Sequence, residues 1–201
     1  PRPEPPAELR ERSHAIPAAC RERVHVYMVN GLTFLPHMVG SMNSVAPYIE
    51  DLGFCKPTVG THYSRWRFQD EIRRIHAEDP EARFVLVGYS IGGGVAHAMA
   101  WTLHEDGIPI DLMVLIDAHS FLHSFKRISP NVGRLVSINS ASPWLAGKGQ
   151  PGQASYSVDA FFHLALPRRS ETLQILGTEL IDTIAAGTSV SDDAARDNHT
   201  R

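Results

Sequence analysis

Three residues carry the chemistry legible in this sequence: Ser90, Asp117 and His163. Ser90 lies in Gly88-Tyr89-Ser90-Ile91-Gly92, the G-x-S-x-G spacing in which a strand turns abruptly into a helix and leaves a serine hydroxyl at the tip. The apolar stretch Phe84-Val85-Leu86-Val87 precedes it, and Gly92-Gly93-Gly94 opens the helical segment after it. Glycines omit the Cβ atoms that so sharp a turn has no room for, and the residue at the tip is expected in a strained backbone conformation. A serine held this way is open to a base on one side and to a carbonyl carbon on the other, which is what acyl transfer needs.

Such a serine also requires a base, a carboxylate to orient the base, and donors for the developing oxyanion. Asp117 closes the apolar run Leu112-Met113-Val114-Leu115-Ile116, one strand after Ser90, where catalytic groups of a parallel sheet collect. Its other reading is a turn or helix-capping aspartate. Asp159 is the competing acid, but it lies close before His163 in sequence and shares its element. His163, in Ala160-Phe161-Phe162-His163-Leu164, follows the last predicted strand and is the candidate base. The alternative for it is a half-buried histidine in an aromatic turn. His119 is too near Asp117 in sequence to serve easily, and His97 lies about two turns into the helix after Ser90. His62 follows a strand and is expected at most to touch substrate.

The oxyanion donors are expected to be the backbone N–H of Ile91, at a helix amino terminus, and that of Leu32, after the Asn30-Gly31 turn, with Thr33 as the alternative to Leu32. Thr33, Phe34, His62, Tyr89 and Phe121 are candidates to line a substrate groove, with Leu35, Met38, Leu122 and Phe125 beyond them. Packing of these loop residues on the core is the competing reading.

The elements that position these groups alternate between strand and helix patterns, which implies an α/β architecture with about six mostly parallel strands flanked by helices on both faces. Strands are predicted at Val24–Val29, Pro57–Thr61, Phe84–Val87, Ile110–Ile116, Arg134–Ile138 and Ser155–Val158. Helices are predicted over Val39–Leu52, Arg65–Glu78 with Trp66, Ile72 and Ile75 as its apolar positions, the segment after Ser90, and Glu171–Ile184. Residues 1–21 read as a flexible lead-in, residues 22–187 as one domain, and residues 188–201 as a polar tail.

Composition narrows the function classes. A chain of 201 residues with a net charge of −3 offers no basic field for nucleic acid, and no apolar run is long enough to span a bilayer. The start, Pro1 to Pro6, has no apolar signal core. That slightly favours a cytoplasmic protein, and a secreted one stays open if the amino terminus is a processed end. Cys20 and Cys55 are the two cysteines; they read as small, buried or half-buried residues, a single bridge being the other option. No metal-ligand spacing is present, and the chemistry above calls for neither metal nor cofactor.

The stretch Phe84 to Ala118 resembles the thioesterase domains of peptide and polyketide synthases: G-Y-S-x-G-G, an Ala-rich helix, then an apolar strand closing on Asp. The order Ser, Asp, His along the chain is that of the α/β-hydrolase superfamily. The resemblance implies an α/β-hydrolase fold in which Ser90 carries the acyl group, Asp117 is the acid and His163 the base. Asn30-Gly31 is similar to the superfamily's His-Gly oxyanion turn, with Asn in place of His. The span from Ala118 to Phe162 is too short for the helical lid of such thioesterase domains, so a minimal form without a large lid is expected. The expected activity is hydrolysis of a small carboxylic ester or thioester. A non-catalytic relative that binds a ligand, or an amidase or peptidase using the same residues, is the alternative.

Overall fold

A computed structural model describes residues 3–31, 41–55, 57–118, 127–141, 153–160 and 163–197. Its centre is a six-stranded sheet of β1 (Val24–Val29), β2 (Thr58–Gly60), β3 (Arg83–Tyr89), β4 (Ile110–Ile116), β5 (Val132–Ser140) and β6 (Ala154–Val158). The spatial order is β2-β1-β3-β4-β5-β6, and every neighbouring pair is parallel. The helices are α1 (Ala7–Ala15), α2 (Ala18–Glu22), α3 (Ala46–Asp51), α4 (Arg65–Glu78), α5 (Ile91–Glu105) and α6 (Ser170–Asp197). Short 3₁₀ turns occupy Met42–Ser44, His62–Ser64 and His163–Arg168.

Parallel strands covered by helices on both faces read as continuous apolar runs, and β3 and β4 do. Along β3, Phe84 and Leu86 face α4 and α5, while Val85, Val87 and Tyr89 join the layer that contains residues of α3 and α6. All five are buried, and each large aliphatic side chain so placed contributes roughly 1.5–3 kcal/mol. The two apolar layers hold the central strands rigid, so groups at the carboxyl ends of β3 and β4 inherit fixed positions.

Several expectations change. The lead-in is helical over α1 and α2, and Leu9, Ser13 and Ile16 are buried. The Ser13 hydroxyl donates to the Leu52 carbonyl at 2.6 Å, which ties α1 to the end of α3. The helix predicted over Val39–Leu52 is broken: a 3₁₀ turn precedes α3, and Pro47 sits in the first turn of α3. In α4 the inward positions are Phe68, Gln69 and Ile72, whereas Trp66 is 66% exposed with the Arg65 guanidinium 4.8 Å from its ring centroid. The closing helix extends through what reads in the sequence as a polar tail, ending at Asp197. Cys20 and Cys55, by contrast, are as read, half-buried and free.

Candidate active site

The turn after β3 is built by close approach. A Cβ on Gly88 would lie 2.5 Å from the Gly93 Cα, and one on Gly92 would lie 2.2 Å from the Val29 carbonyl oxygen, so α5 starts pressed against β3 and β1. Gly94 lacks that role, since among the described residues nothing stands within 4 Å of a Cβ built there. Between Gly88 and Gly92, Ser90 takes φ 54° and ψ −125°, a left-handed conformation costing on the order of 1–3 kcal/mol for a non-glycine residue. Its N–H continues the sheet ladder by donating to the Ile116 carbonyl at 2.9 Å. Although Ser90 occupies the N-cap position of α5, its side chain makes no capping hydrogen bond, and Oγ is not committed to the helix.

Asp117 follows β4 with φ 43° and, with Ser90, is one of the two non-glycine residues of positive φ among the described residues. Its N–H donates to the Ile138 carbonyl at 2.8 Å, which locks the turn onto β5. The carboxylate is buried, and its two oxygens are divided. Oδ1 accepts from the Ser140 N–H at 2.8 Å and from the Ser140 hydroxyl at 3.1 Å; Oδ2 lies 2.8 Å from His163 Nδ1. Ser140, at the end of β5, is not marked out by sequence, where nothing sets it apart from its serine-rich neighbours.

His163 opens the 3₁₀ turn His163–Arg168, whose Leu166 and Pro167 are buried. A carboxylate accepts only, so the contact with Asp117 fixes the tautomer with hydrogen on Nδ1 and leaves Nε2 free to take a proton. The imidazole is 29% exposed, against 1% for the Asp117 side chain. The Tyr89 ring stacks on it at 4.9 Å between centroids and 25° between planes. Among the described residues no hydrogen bond joins Ser90 Oγ to the imidazole.

The structure therefore brings Asp117 and His163 into contact and sets Ser90 at the same carboxyl edge of the sheet. Ile91 is the first residue of α5, where its N–H has no intrahelical partner. Leu32, Thr33, Phe34, Leu35, Met38, His119, Phe121, Leu122 and Phe125 lie outside the described residues. The start of the β1 loop is described: a Cβ on Gly31 would sit 3.0 Å from Ser90 Cβ, and buried Asn30 accepts from the Met42 N–H at 2.7 Å, pinning the return of that loop. Tyr89 is not a lining residue, as it is 2% exposed and lies beneath the imidazole. His62 stands in the turn after β2 with its ring against exposed Tyr63, and His97 Nε2 lies 2.8 Å from the Arg127 carbonyl. Asp159 stays exposed, and its main-chain carbonyl accepts from the Arg169 guanidinium. No group of three or more His, Cys, Asp or Glu side chains that could hold a metal ion occurs among the described residues, and none of their helices is long and apolar enough to cross a membrane.

No family model matches the chain. A stretch of 50 residues, 25% of the chain, is 38% identical to a dimodular nonribosomal peptide synthase of Bacillus subtilis (strain 168) and spans 2% of that protein's length. Among solved structures, a serine hydrolase without a lid from Xanthomonas campestris superposes with a TM-score of 0.56 at 13% identity, covering 82% of both chains. Human thioesterase 2 gives 0.52 at 13% identity over 82% of this chain and 97% of its own. The NocB thioesterase domain of the nocardicin cluster gives 0.51 at 14% identity over 81% and 94%. With its six parallel strands, its strained strand-to-helix turn and these likenesses, the chain has the α/β-hydrolase fold, and no lid stands among its described residues.

Proposed function

We propose that this chain is a serine hydrolase that cleaves a small carboxylic ester or thioester through an acyl-enzyme intermediate. Ser90 Oγ attacks the acyl carbon as His163 Nε2 takes its proton. The tetrahedral intermediate collapses, the bond to the leaving oxygen or sulfur breaks, and the imidazolium returns the proton to the leaving group. Water then attacks the acyl-enzyme by the same route in reverse roles and releases the acid and Ser90. Asp117 holds the imidazole by Nδ1 and stabilises its charged form. The Ile91 N–H, at the positive end of α5, is one oxyanion donor and the Leu32 N–H the second, each worth about 3–4 kcal/mol at the transition state.

The observation that carries this reading is the 2.8 Å contact of His163 Nδ1 with a buried carboxylate at the same sheet edge as a serine held at φ 54°. Strain of that kind persists only where the surrounding structure over-determines it, and it clusters at sites of chemistry. The fold is shared with proteins described as a serine hydrolase and as thioesterases, which supports an acyl substrate.

The test is fluorophosphonate labelling read by intact mass and peptide mapping, alongside turnover of matched ester, thioester and amide substrates. Wild-type protein is expected to gain one adduct on Ser90, and Ser90→Ala to gain none and to lose turnover by about 10⁴-fold or more. Turnover that survives Ser90→Ala, or an adduct elsewhere, overturns the assignment. Turnover of the amide above both esters would move the substrate class to amides.

A further inference from the structure

The residue preceding the proposed nucleophile has two contacts with the proposed base that the mechanism above does not use. The Tyr89 ring stacks on the His163 imidazole, centroids 4.9 Å apart and planes 25° from parallel. The Tyr89 hydroxyl donates to the His163 main-chain carbonyl at 3.0 Å. One side chain therefore grips both the ring of His163 and the backbone that carries it. The same ring also lies close to the start of the β1 loop, since a Cβ on Gly31 would come within 3.3 Å of Tyr89 Cδ1. Tyr89 itself ends β3, is buried, and has no freedom to follow a moving neighbour.

We propose that Tyr89 is a positioning residue that fixes the imidazole of His163 relative to Ser90, so that the nucleophile and the grip on its base are consecutive residues of one strand end. This rests on the reading of Ser90 and His163 given above. Asp117 restrains the imidazole at Nδ1 alone, and a single hydrogen bond leaves the ring free to tilt about that atom. A stacked aromatic face removes the tilt, and the hydroxyl bond holds the first residue of the short 3₁₀ turn in register. The ring's negative face also favours the imidazolium formed when His163 takes the serine proton. Burial, with the Asp117 charge nearby, pushes the Tyr89 phenol well above the ordinary tyrosine range, so the hydroxyl stays a donor wherever the enzyme would work.

The test compares Tyr89→Phe, which keeps the ring and removes the hydroxyl, with Tyr89→Leu, which removes both. Three quantities are read in the full chain: the rate of fluorophosphonate labelling at Ser90, the split of kcat from KM on an ester, and the far-downfield proton resonance of the imidazole N–H bonded to Asp117. His163→Ala, which must lack that resonance, assigns it. Tyr89→Phe is expected to slow labelling and kcat by about 3–10-fold, the range of one net hydrogen bond. Tyr89→Leu is expected to slow both by about 10²-fold with KM unchanged, the scale of a misplaced catalytic group, and to lose or broaden the resonance. A folded Tyr89→Leu protein that labels within about 2-fold of wild type and keeps the resonance overturns the proposal. If Tyr89→Leu does not fold, Tyr89→Phe decides by the same two readouts. If wild-type Ser90 takes no label, the hydrolase reading fails instead, and the resonance still reports whether Tyr89 holds the imidazole.

Discussion

The two ends of β4 each carry an aspartate, and they are built alike. At the start of the strand Asp111 accepts from the Phe84 N–H at 2.8 Å and from Arg83 Nε at 2.7 Å. Just past its end Asp117 accepts from the Ser140 N–H at 2.8 Å and lies 2.8 Å from His163 Nδ1. Each carboxylate thus bridges one backbone amide of an adjacent strand and one nitrogen side chain. Two differences separate them. The partner of Asp111 is a guanidinium that cannot give up its proton, and its fork continues to the Ile184 and Thr183 carbonyls of α6. The partner of Asp117 is an imidazole, whose second ring nitrogen can take a proton and give it back. Asp111 also stays in regular strand backbone, whereas Asp117 sits at positive φ beside a serine in the same condition. The lesson is that a carboxylate paired with a nitrogen side chain, which occurs at both ends of β4, does not by itself mark a site of chemistry. Strand end, backbone strain and a proton-accepting partner are what single out Asp117 as the proposed acid.

That contrast is open to attack at both ends. Asp117→Asn is expected to lower turnover by about 10⁴-fold, because the amide can present its NH₂ to Nδ1 and reverse the tautomer; circular dichroism and melting should stay close to wild type. Asp111→Ala should do the opposite. It strands the Phe84 N–H and a half-buried Arg83, costs about 2–4 kcal/mol in urea unfolding, and leaves kcat/KM within about 2-fold. A stability loss at Asp117 and an activity loss at Asp111 would erase the distinction. The smallest effect is expected from Ser140→Ala. It removes the 3.1 Å hydroxyl bond to Asp117 and keeps the 2.8 Å amide bond, so kcat should fall by about 3–10-fold with KM unchanged.

Much of this layout is legible in the residues. The bounds of β4 and α4 are as read, because an unbroken apolar run ending in Asp117 and a helical stripe closed by Asp79-Pro80 leave little choice. The turn around Ser90 is legible because its close approaches admit glycine only, although Gly94 shows that a glycine run is not uniform in purpose. The two helices before β1 are not legible. Their polar, proline-interrupted sequence has only Leu9, Ser13 and Ile16 to bury, and their packing partners, α6 above all, lie far along the chain. Trp66 misleads because aromatic character suggests burial, whereas Phe68 and Ile72 take the inward side of α4. Ser140 and the grip of Tyr89 depend on contacts across 23 and 74 residues of chain, and no local pattern records those.

The fork of Arg83 has a mechanical consequence. It fastens the middle of α6 to the foot of the sheet, while the chain just before α6 carries His163 at the sheet's top. From Ser170 to Ile184 the helix is a stiff rod about 21 Å long. Buried Glu179 pins that rod once more, accepting from Arg134 at 2.9 Å. The segment bearing the imidazole is in this way the short arm of a lever clamped at two points below. Arg169 couples the two parts, its N–H donating to the Leu166 carbonyl at 3.2 Å and its carbonyl accepting from the Leu173 N–H at 3.0 Å, so loosening the clamps would carry through to the turn. The unfolding of α6 and the loss of the imidazole's place should then be one cooperative event, visible as a shared hydrogen-exchange protection from the foot of the rod to its tip.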